Sequence, residues 1–321
     1  MESNNVKVSV IVATYNQEKY IGHTLESIVT QNVNFKFEAL VGEDCSNDGT
    51  AKIVKEYAEK YPDIIVPYFR EKNLGMYANI PELMTHAKGE YIAFIEGDDY
   101  WIDDNKLQKQ VDFLDSHPDY VACFGKCIIV DENDVRHPEK EDYNAFKREK
   151  GDFTIREFEQ YILPGQTATS MYRKVVYGQL QQKLSQLKDA TQIMQIDRGQ
   201  VLCMMAIGKM YNLGEDVAAY RHVTNKESGS WSSQNDYYGI KPVMQYLDGM
   251  KQMEKIASAL GFELNFDERR TYELNKLYAN MGTFSKEDTD KIRQKIKEDY
   301  NTKQKYYKAC LKNVFKGWRR T

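Results

Sequence analysis

Long apolar runs are missing from this 321-residue chain. No stretch approaches the roughly 18 apolar residues that a membrane-spanning helix needs. The first apolar run, residues 8–13, is also too short for a secretory signal peptide and has little positive charge before it. We therefore expect a cytoplasmic protein.

Cysteine is sparse and irregularly placed. The chain has five cysteines, an odd number, and none shows the spacing of a zinc site. Scattered cysteines of this kind are typical of free thiols in a reducing compartment. We interpret the pair Cys123 and Cys127 as packing of a buried strand rather than as a redox site.

Charge of one dominant sign is lacking as well. The chain holds 44 lysines and arginines against 48 aspartates and glutamates, a net charge of −4. A protein without a basic field has no general means of recruiting nucleic acid, so we expect no nucleic-acid partner.

Three groups of phosphate-handling enzymes are disfavoured by absent loops. No Gly-x-x-x-x-Gly-Lys loop of a nucleoside triphosphatase occurs. The loop after the first predicted strand, residues 14–18, lacks the glycines and arginine of a sugar nucleotidylyltransferase. It also lacks an acid immediately after the strand, where an aspartyl phosphatase would need one.

Strands and helices alternate through the first half of the chain. Apolar runs at residues 7–13, 37–42, 64–69 and 91–95 predict buried strands, separated by segments with apolar residues at helical spacing. The alternation predicts βαβ units and a mostly parallel α/β sheet flanked by helices. Beyond about residue 234 only helical patterns follow. We therefore divide the chain into an α/β domain, residues 1–225, and an α-helical C-terminal extension, residues 226–321.

Three acids stand within four positions after the fourth predicted strand. Glu96, Asp98 and Asp99 surround Gly97, which allows a sharp turn; we call residues 96–99 the acid turn. Carboxylates this close repel one another unless a cation lies between them. Mg²⁺ or Mn²⁺ held by one or two carboxylates keeps positions open for substrate phosphates. The pattern fits a metal–diphosphate site, and equally an acidic loop that caps the next helix.

Polar residues also follow the other predicted strands. Tyr15 and Asn16 come after the first strand, Glu43 and Asp44 after the second, and Asn73 after the third. In open parallel sheets, ligands bind outside the carboxyl ends of the strands. Because the sheet places these ends side by side, we expect one polar cleft.

Four segments in chain order, residues 8–16, 43–50, 73–75 and 88–101, resemble those of family 2 glycosyltransferases of the GT-A fold. The resemblance continues more weakly to about residue 225. It implies a Rossmann-like GT-A sheet and inverting transfer of a sugar from a nucleotide diphosphate donor, with Mn²⁺ or Mg²⁺ as cofactor. The expected donor is a UDP-hexose or UDP-N-acetylhexosamine. The expected acceptor is a hydroxyl of a saccharide or lipid-linked saccharide, in surface polysaccharide or glycoconjugate synthesis.

The resemblance also implies roles for single residues. Tyr15 matches the aromatic that packs near the nucleotide base, and Asp44 matches the acid that hydrogen-bonds the base. Glu43 and Glu96 stand where the family usually has aspartate, so each carboxylate is one methylene further from the backbone. We expect Asp98 to bind the metal directly and Glu96 to act on the ribose or through water. The donor-binding candidates are Ala13, Tyr15, Asp44, Asn73, Glu96 and Asp98, and the metal-ligand candidates are Asp98, Asp99 and His222. The alternative for Tyr15 is an aromatic at the edge of the core, and Asn73 with Gly75 equally fits a turn that starts a helix.

His222 and Asp197 each allow two interpretations. His222 directly follows Arg221, which is not a clean match to the family's Tyr-Arg-x-His-like element, so it is either a metal ligand or a solvent-facing histidine. Asp197 precedes a compact helical face and is either an N-cap or the general base that deprotonates the acceptor. We favour the base, with Glu215 and Asp216, in an expected turn into the last strand, as the next candidates.

Two further segments each allow two interpretations, and the chain also has one alternative function. Residues 224–233 form either a loop that closes over the donor phosphates or a linker. Residues 303–321 hold seven basic residues, interleaved aromatics and no acid, which suits peripheral contact with the inner membrane surface or a solvated helix end. The alternative function is a catalytically inactive module that binds nucleotide sugars or a membrane surface.

Overall fold

The computed structural model describes residues 5–141, 146–176, 178–179, 197–223 and 240–299. These residues fall into two compact units: residues 5–158 with 162–223, and residues 159–161 with 240–299. The predicted domain boundary after residue 225, the predicted loop 224–233 and the basic segment 303–321 lie outside the described residues. Within the described ranges, no helix combines the length and the apolar composition that crossing a membrane requires.

Four parallel strands form one half of the sheet, as the alternation predicts. The strands are β1 (Val8–Thr14), β2 (Phe37–Glu43), β3 (Ile65–Phe69) and β4 (Tyr91–Glu96), connected by helices α1 (Ile21–Val29), α2 (Thr50–Lys60) and α3 (Met76–His86). Their order is β3-β2-β1-β4, so β1 pairs with both β2 and β4. A crevice opens at the carboxyl ends of strands where the order reverses in this way.

The other half of the sheet is mixed. It contains β5 (Tyr100–Trp101), α4 (Lys106–Ser116), β6 (Tyr120–Val130), α5 (Pro138–Glu141), β7 (Gly151–Asp152), α6 (Ile155–Glu159), a 3₁₀ turn (Thr167–Thr169), β8 (Met171–Arg173), α7 (Asp197–Met205) and β9 (Lys209–Arg221). The order continues from β4 as β8-β6-β9-β5, with β7 also paired to β9. β8 runs antiparallel to β4 and β6, whereas β6 and β9 are parallel.

Each face of the sheet buries its own apolar cluster. Val10 of β1 packs with Leu25 of α1 on one face, and its neighbour Ile11 packs with Leu83 of α3 on the other. Alternation along the strand sends successive side chains to opposite faces. Each fully buried side chain of this kind stabilises the fold by about 1.5–3 kcal/mol. The predicted near-continuous apolar strands are confirmed, because both faces are covered.

Two strands are longer than the sequence indicates. β6 extends beyond the predicted residues 120–124 and ends at Val130. Glu215 and Asp216 lie inside β9, so the predicted turn at these acids is wrong. The reason is pairing: β6 lies alongside β9 through several register shifts, and its Lys126 lies 3.4 Å from Asp216 Oδ1. The positive charge of Lys126, which comes from a distant segment, makes Asp216 compatible with a position inside a strand.

The second unit is helical, as the sequence predicts. It contains α8 (Ile240–Leu260), α9 (Asp267–Ala279) and α10 (Lys286–Asp299). Leu247 of α8, Leu274 of α9 and Ile292 of α10 are buried. Arg270 Nη1 lies 2.7 Å from Glu254 Oε2, which joins α9 to α8.

The described cysteines are free thiols, as predicted. Cys45, Cys123, Cys127 and Cys203 form no disulfide, and Cys310 lies outside the described residues. Burial raises the pKa of Cys123 and of Cys127 to about 12. A thiol that stays protonated near neutral pH is a poor nucleophile. Both residues therefore serve packing.

A lysine is buried in the core of the first unit. Lys106, at the start of α4, is 0% exposed. Its Nζ donates to Gln110 Oε1 at 2.8 Å and lies 4.4 Å from the ring centroid of Trp101. Burial lowers the pKa of Lys106 from 10.5 to about 7. The folded protein therefore releases this proton at a much lower pH than the unfolded chain does.

Replacing Lys106 with methionine is expected to change the pH dependence of stability. Between about pH 7 and 10.5 the unfolded wild-type chain binds the extra proton, so its free energy of unfolding rises with pH in this window. Lys106→Met lacks this dependence. Its stability relative to wild type is highest below pH 7 and falls by up to about 1.4 kcal/mol per pH unit above it. Urea unfolding at pH 6.5 and pH 9 measures the difference.

The exposed Lys55 on α2 provides the control. Its Nζ lies 4.0 Å from Glu59 on the surface. Lys55→Met should shift stability by a similar amount at both pH values. A constant offset for Lys106→Met as well would show that Lys106 does not titrate in this window.

Candidate active site at the carboxyl ends of β1, β2 and β4

The predicted polar residues lie at one edge of the sheet. Gly97 N donates to Ala13 O at 3.0 Å, and Asp44 N donates to Thr14 O at 3.0 Å. Asp44 and the acid turn therefore stand on either side of the end of β1, two strand spacings or roughly 10 Å apart. The structure brings Ala13, Asp44, Glu96 and Asp98 together at the crevice.

Close backbone packing fixes the acid turn. A Cβ atom added to Gly97 would lie 2.7 Å from Thr14 Cβ, so only glycine fits there. Asp99 N donates to Glu96 O at 3.1 Å and closes the turn. The Thr24 hydroxyl of α1 donates to Gly97 O at 2.9 Å and to Asp99 O at 2.6 Å. These contacts hold the acids at the end of β4 before any ligand arrives.

Three carboxylates act on one another in the crevice. Burial, with the negative charges of Asp197 and Asp98, raises the pKa of Glu96 to about 8. Burial also raises the pKa of Asp98, while the positive charge of Arg221 lowers it. Glu96 Oε2 is buried and has no hydrogen-bond partner in the described structure. A cation beside these groups would offset the repulsion between the carboxylates and would give the unpaired Glu96 oxygen a partner.

Asp197 is the first residue of α7, as the sequence predicts. Desolvation by the surrounding protein raises its pKa, while Arg198 and the nearby Thr167 side chain lower it. The residue as a whole is exposed to solvent. Its negative charge is the largest charge effect that raises the pKa of Glu96. An exposed residue whose carboxylate acts on the acid turn can meet a ligand, which helix capping alone does not require.

Asp99 is bound by two distant parts of the chain. Its Oδ1 accepts from Arg221 N at 2.8 Å, and its Oδ2 accepts from Gln166 Nε2 at 3.1 Å. The residue is 1% exposed. Both oxygens of this predicted metal ligand thus already have protein donors. Asp98, which is partly exposed, is better placed to face a ligand.

The structure brings Arg221 rather than His222 to the acid turn. Arg221 Nε donates to Asp98 O at 2.9 Å, and its guanidinium carbon lies 4.3 Å from the ring centroid of Tyr20. Burial and the positive charges of Lys140 and His137 lower the pKa of His222. His222 follows the last residue of β9, and its N donates to Val130 O at 2.8 Å. None of the contacts described for His222 reaches Asp98, so its role as a metal ligand stays a prediction.

The Asp44 side of the crevice has polar contacts and an apolar rim. The two oxygens of Asp44 accept from Leu74 N and Gly75 N, each at 2.8 Å, and Asn73 Oδ1 accepts from Gly75 N at 2.9 Å. These bonds fix the loop before α3. Exposed apolar side chains follow the ends of β1 and β3 at this edge: Tyr15, Phe69, Leu74, Met76 and Tyr77.

The donor set fits a hard divalent cation that is completed by substrate. Among the residues described, no three His, Cys, Asp or Glu side chains form a ready metal site. Asp98 and the unpaired oxygen of Glu96 supply carboxylate oxygens. Mg²⁺ and Mn²⁺ are commonly held by one or two carboxylates, with the remaining positions taken by water and phosphate. The residues present suit such an ion.

Comparison with known families decides the class of protein. The sequence profile described as Glycosyl transferase family 2 matches residues 9–179, more than half of the chain. The chain belongs to glycosyl transferase family 2. The resemblance predicted from the four sequence segments is confirmed.

Curated relatives of this family 2 chain match it over part of their length. The putative teichuronic acid biosynthesis glycosyltransferase TuaG of Bacillus subtilis is 37% identical over 107 residues, which cover 33% of this chain and 41% of TuaG. Relatives of 33% to 39% identity match over 13% to 46% of their own length. The chain therefore matches less than half the length of these relatives.

Solved structures confirm the GT-A fold of this family 2 chain. TarS 1–349 of S. aureus in complex with UDP-GlcNAc has a TM-score of 0.61 and 21% identity, covering 89% of this chain and 79% of TarS 1–349. The mannosyltransferase PcManGT of Pyrobaculum calidifontis in complex with GDP-Man and Mn²⁺ has a TM-score of 0.52 and 18% identity, covering 98% and 89%. At these identities the likeness establishes the architecture alone.

Sequence reasoning missed Gln166 and Arg221 as residues of this site. Gln166 lies 67 positions from its partner Asp99 and stands in a loop without a recognisable motif. Arg221 was visible only as the residue before the predicted ligand His222. Neither side chain carries a local signal, because each acts through a contact between distant segments.

Proposed function

We propose that this chain is an inverting glycosyltransferase that moves a hexose or N-acetylhexosamine from a nucleotide diphosphate donor to a hydroxyl acceptor. The single observation that carries this proposal is the buried Oε2 of Glu96, which has no hydrogen-bond partner in the described structure and belongs to a carboxyl whose pKa is raised by burial and by the charges of Asp197 and Asp98. The proposed donor is a UDP-sugar, supported by the UDP-GlcNAc complex of TarS. The proposed acceptor is a saccharide or lipid-linked saccharide of a surface polymer, supported by the name of TuaG.

The metal part of the site is assigned to Asp98 and Glu96. Asp98 would bind Mn²⁺ or Mg²⁺ directly, and Glu96 would act through water or the donor ribose. A bound divalent cation would neutralise the charge that develops on the leaving diphosphate. Asp99, whose oxygens bind Arg221 and Gln166, keeps the turn in place.

The base part of the site is assigned to Asp197. Its raised pKa brings the carboxylate nearer to the range in which a general base works well at neutral pH. The Thr167 side chain is near enough to lower the pKa of Asp197 and is assigned to orient its carboxylate. Asp197 would accept the proton of the acceptor hydroxyl as that oxygen attacks the sugar. One displacement inverts the anomeric centre and needs no second carboxylate as nucleophile.

The nucleotide part of the site is assigned to the opposite side of β1. Tyr15, 41% exposed, would pack on the base. Asp44 has lone pairs beyond those that bind Leu74 N and Gly75 N, and they can accept a pyrimidine imide N–H. Asn73 and the carbonyl of Ala13 line the same edge of the sheet.

Ligand-induced stabilisation of the wild-type protein tests the proposal. The melting temperature should rise with a nucleotide sugar plus Mn²⁺, because a ligand that binds only the folded state at 100 times its Kd adds about 2.7 kcal/mol. EDTA should abolish most of this rise. The screen compares UDP-GlcNAc, UDP-glucose, UDP-galactose and GDP-mannose.

Product analysis separates the transferase from the inactive module. The nucleotide sugar that stabilises best is incubated with saccharide acceptors, and proton NMR reports the anomeric configuration of the product. Inversion is expected. Retention would exclude the single displacement, whereas Mn²⁺-dependent binding without turnover on any acceptor would favour a binding module.

A further inference from the structure

We infer that Gln166 is a positioning residue that holds the acid turn and the Asp197 base in a fixed relation to each other. This inference rests on the proposed function, since it names a further residue of the same site. Gln166 bonds Asp99 of the acid turn and caps the 3₁₀ turn that begins with Thr167, and it need not touch the donor or the acceptor.

One end of the Gln166 side chain binds the acid turn. Nε2 donates to Asp99 Oδ2 at 3.1 Å, and the side chain lies close enough to Glu96 to lower the pKa of that carboxyl against the effect of burial. A primary amide carries two N–H groups on one nitrogen, so it can serve two carboxylates at once. The residue is 6% exposed, and water therefore has little access to replace these bonds.

The other end of the side chain organises the base. Gln166 Oε1 accepts from Ala168 N at 2.6 Å and caps the 3₁₀ turn Thr167–Thr169. The backbone oxygen of Gln166 accepts from Thr169 N at 2.9 Å and from the Thr169 hydroxyl at 2.7 Å. Thr167, the first residue of this turn, is near enough to Asp197 for its side chain to lower the pKa of that carboxyl. Gln166 thus bonds Asp99 of the acid turn and caps the turn that carries Thr167 toward the base.

This arrangement ties together groups from separate segments. The acid turn ends β4 and Asp197 begins α7. In the proposed reaction the metal-bound diphosphate leaves from one side of the sugar while the acceptor attacks from the other. A displacement of about 1 Å between such groups can cost about 100-fold in rate. The buried amide of Gln166 is suited to prevent such a displacement.

Two substitutions of Gln166 separate its hydrogen-bond donation to the acid turn from its capping of the 3₁₀ turn. Gln166→Glu keeps an oxygen that can cap Ala168 N but replaces the amide donor with an oxygen that repels the acids. Gln166→Leu removes both functions at similar volume. Gln31→Leu is the matched control, because Gln31 is 7% exposed and its amide bonds only the backbone, Asp103 O at 2.9 Å and Leu107 N at 3.1 Å.

The first readout is calorimetric binding of UDP with and without MnCl₂. We expect both Gln166 variants to keep metal-free UDP affinity within about threefold of wild type. The increase in affinity that Mn²⁺ gives should fall by about tenfold or more, in the range seen when residues that support metal ligands are replaced. Gln31→Leu should keep this increase, although it loses thermal stability to a similar degree.

The second readout is turnover with the nucleotide sugar that stabilises the wild type best. At saturating substrates and Mn²⁺, kcat of Gln166→Glu should fall about 100-fold, with a smaller change in the donor KM. If both Gln166 variants keep the Mn²⁺ effect and kcat within threefold of wild type, the inference is wrong. If the wild type itself binds no UDP, the proposed function fails first, and that outcome is distinct.

Discussion

Replacing Asp197 with asparagine is expected to lower kcat by about 10²–10⁴-fold. The amide keeps the shape of the side chain but cannot accept the proton of the acceptor hydroxyl. Binding of UDP with Mn²⁺ should stay within about threefold of wild type, because the metal is assigned to Asp98. Initial rates at saturating donor and acceptor, with calorimetry in parallel, measure both quantities.

The Asp197 prediction is specific because kcat should fall while binding of UDP with Mn²⁺ stays nearly unchanged. Asp112→Asn, at an exposed acid on α4 whose carboxylate binds Gln108, is the control and should leave both quantities unchanged. An Asp197→Asn variant with nearly normal kcat would remove Asp197 as the base. Loss of UDP binding together with kcat would instead move Asp197 to the metal or donor part of the site.

Replacing Asp98 with alanine is expected to abolish the effect of Mn²⁺ on donor binding. Supporting residues around a metal site account for about 10–100-fold in affinity, so loss of the ligand itself should cost at least about 100-fold. Removing this charge also removes one source of the raised pKa of Glu96. Metal-free UDP affinity should change little, since Tyr15 and Asp44 lie on the other side of β1. Calorimetric titration of UDP at several MnCl₂ concentrations measures the loss.

Two further variants make the Asp98 experiment more specific. Asp98→Asn keeps one neutral oxygen ligand and should fall between alanine and wild type, with partial recovery at high MnCl₂. Asp104→Ala, at an exposed acid five residues beyond the acid turn, should behave as wild type. Normal Mn²⁺-dependent binding and transfer by Asp98→Ala would contradict the assignment of the metal.

Comparison of these variants also tests the role of Asp99. Its two oxygens accept from Arg221 N and Gln166 Nε2. Asp99 is therefore one of the residues that hold the acid turn in place. The sequence offered Asp98 as the direct ligand and Asp99 as a further candidate of the same turn. The structure separates them, because one is buried among protein donors and the other is partly exposed.

The sequence by itself determined the features that are local in the chain. Apolar runs fixed β1 to β4, helical spacing fixed the helices between them, and Gly97 with its flanking acids marked the acid turn. The parallel order then required the strand ends to meet, which placed Asp44 and Asp98 at one crevice. These inferences succeed because hydrophobic burial and backbone turns depend mainly on neighbouring residues.

Only the tertiary structure decided which distant groups meet. Pairing of β6 with β9 made Glu215 and Asp216 part of a strand, and it brought Arg221, the last residue of β9, to the acid turn. Gln166 reached Asp99 across 67 positions. Contacts of this kind follow from strand register and chain packing, in which a one-residue shift reverses the direction of every side chain. No local pattern of residue types specifies that register.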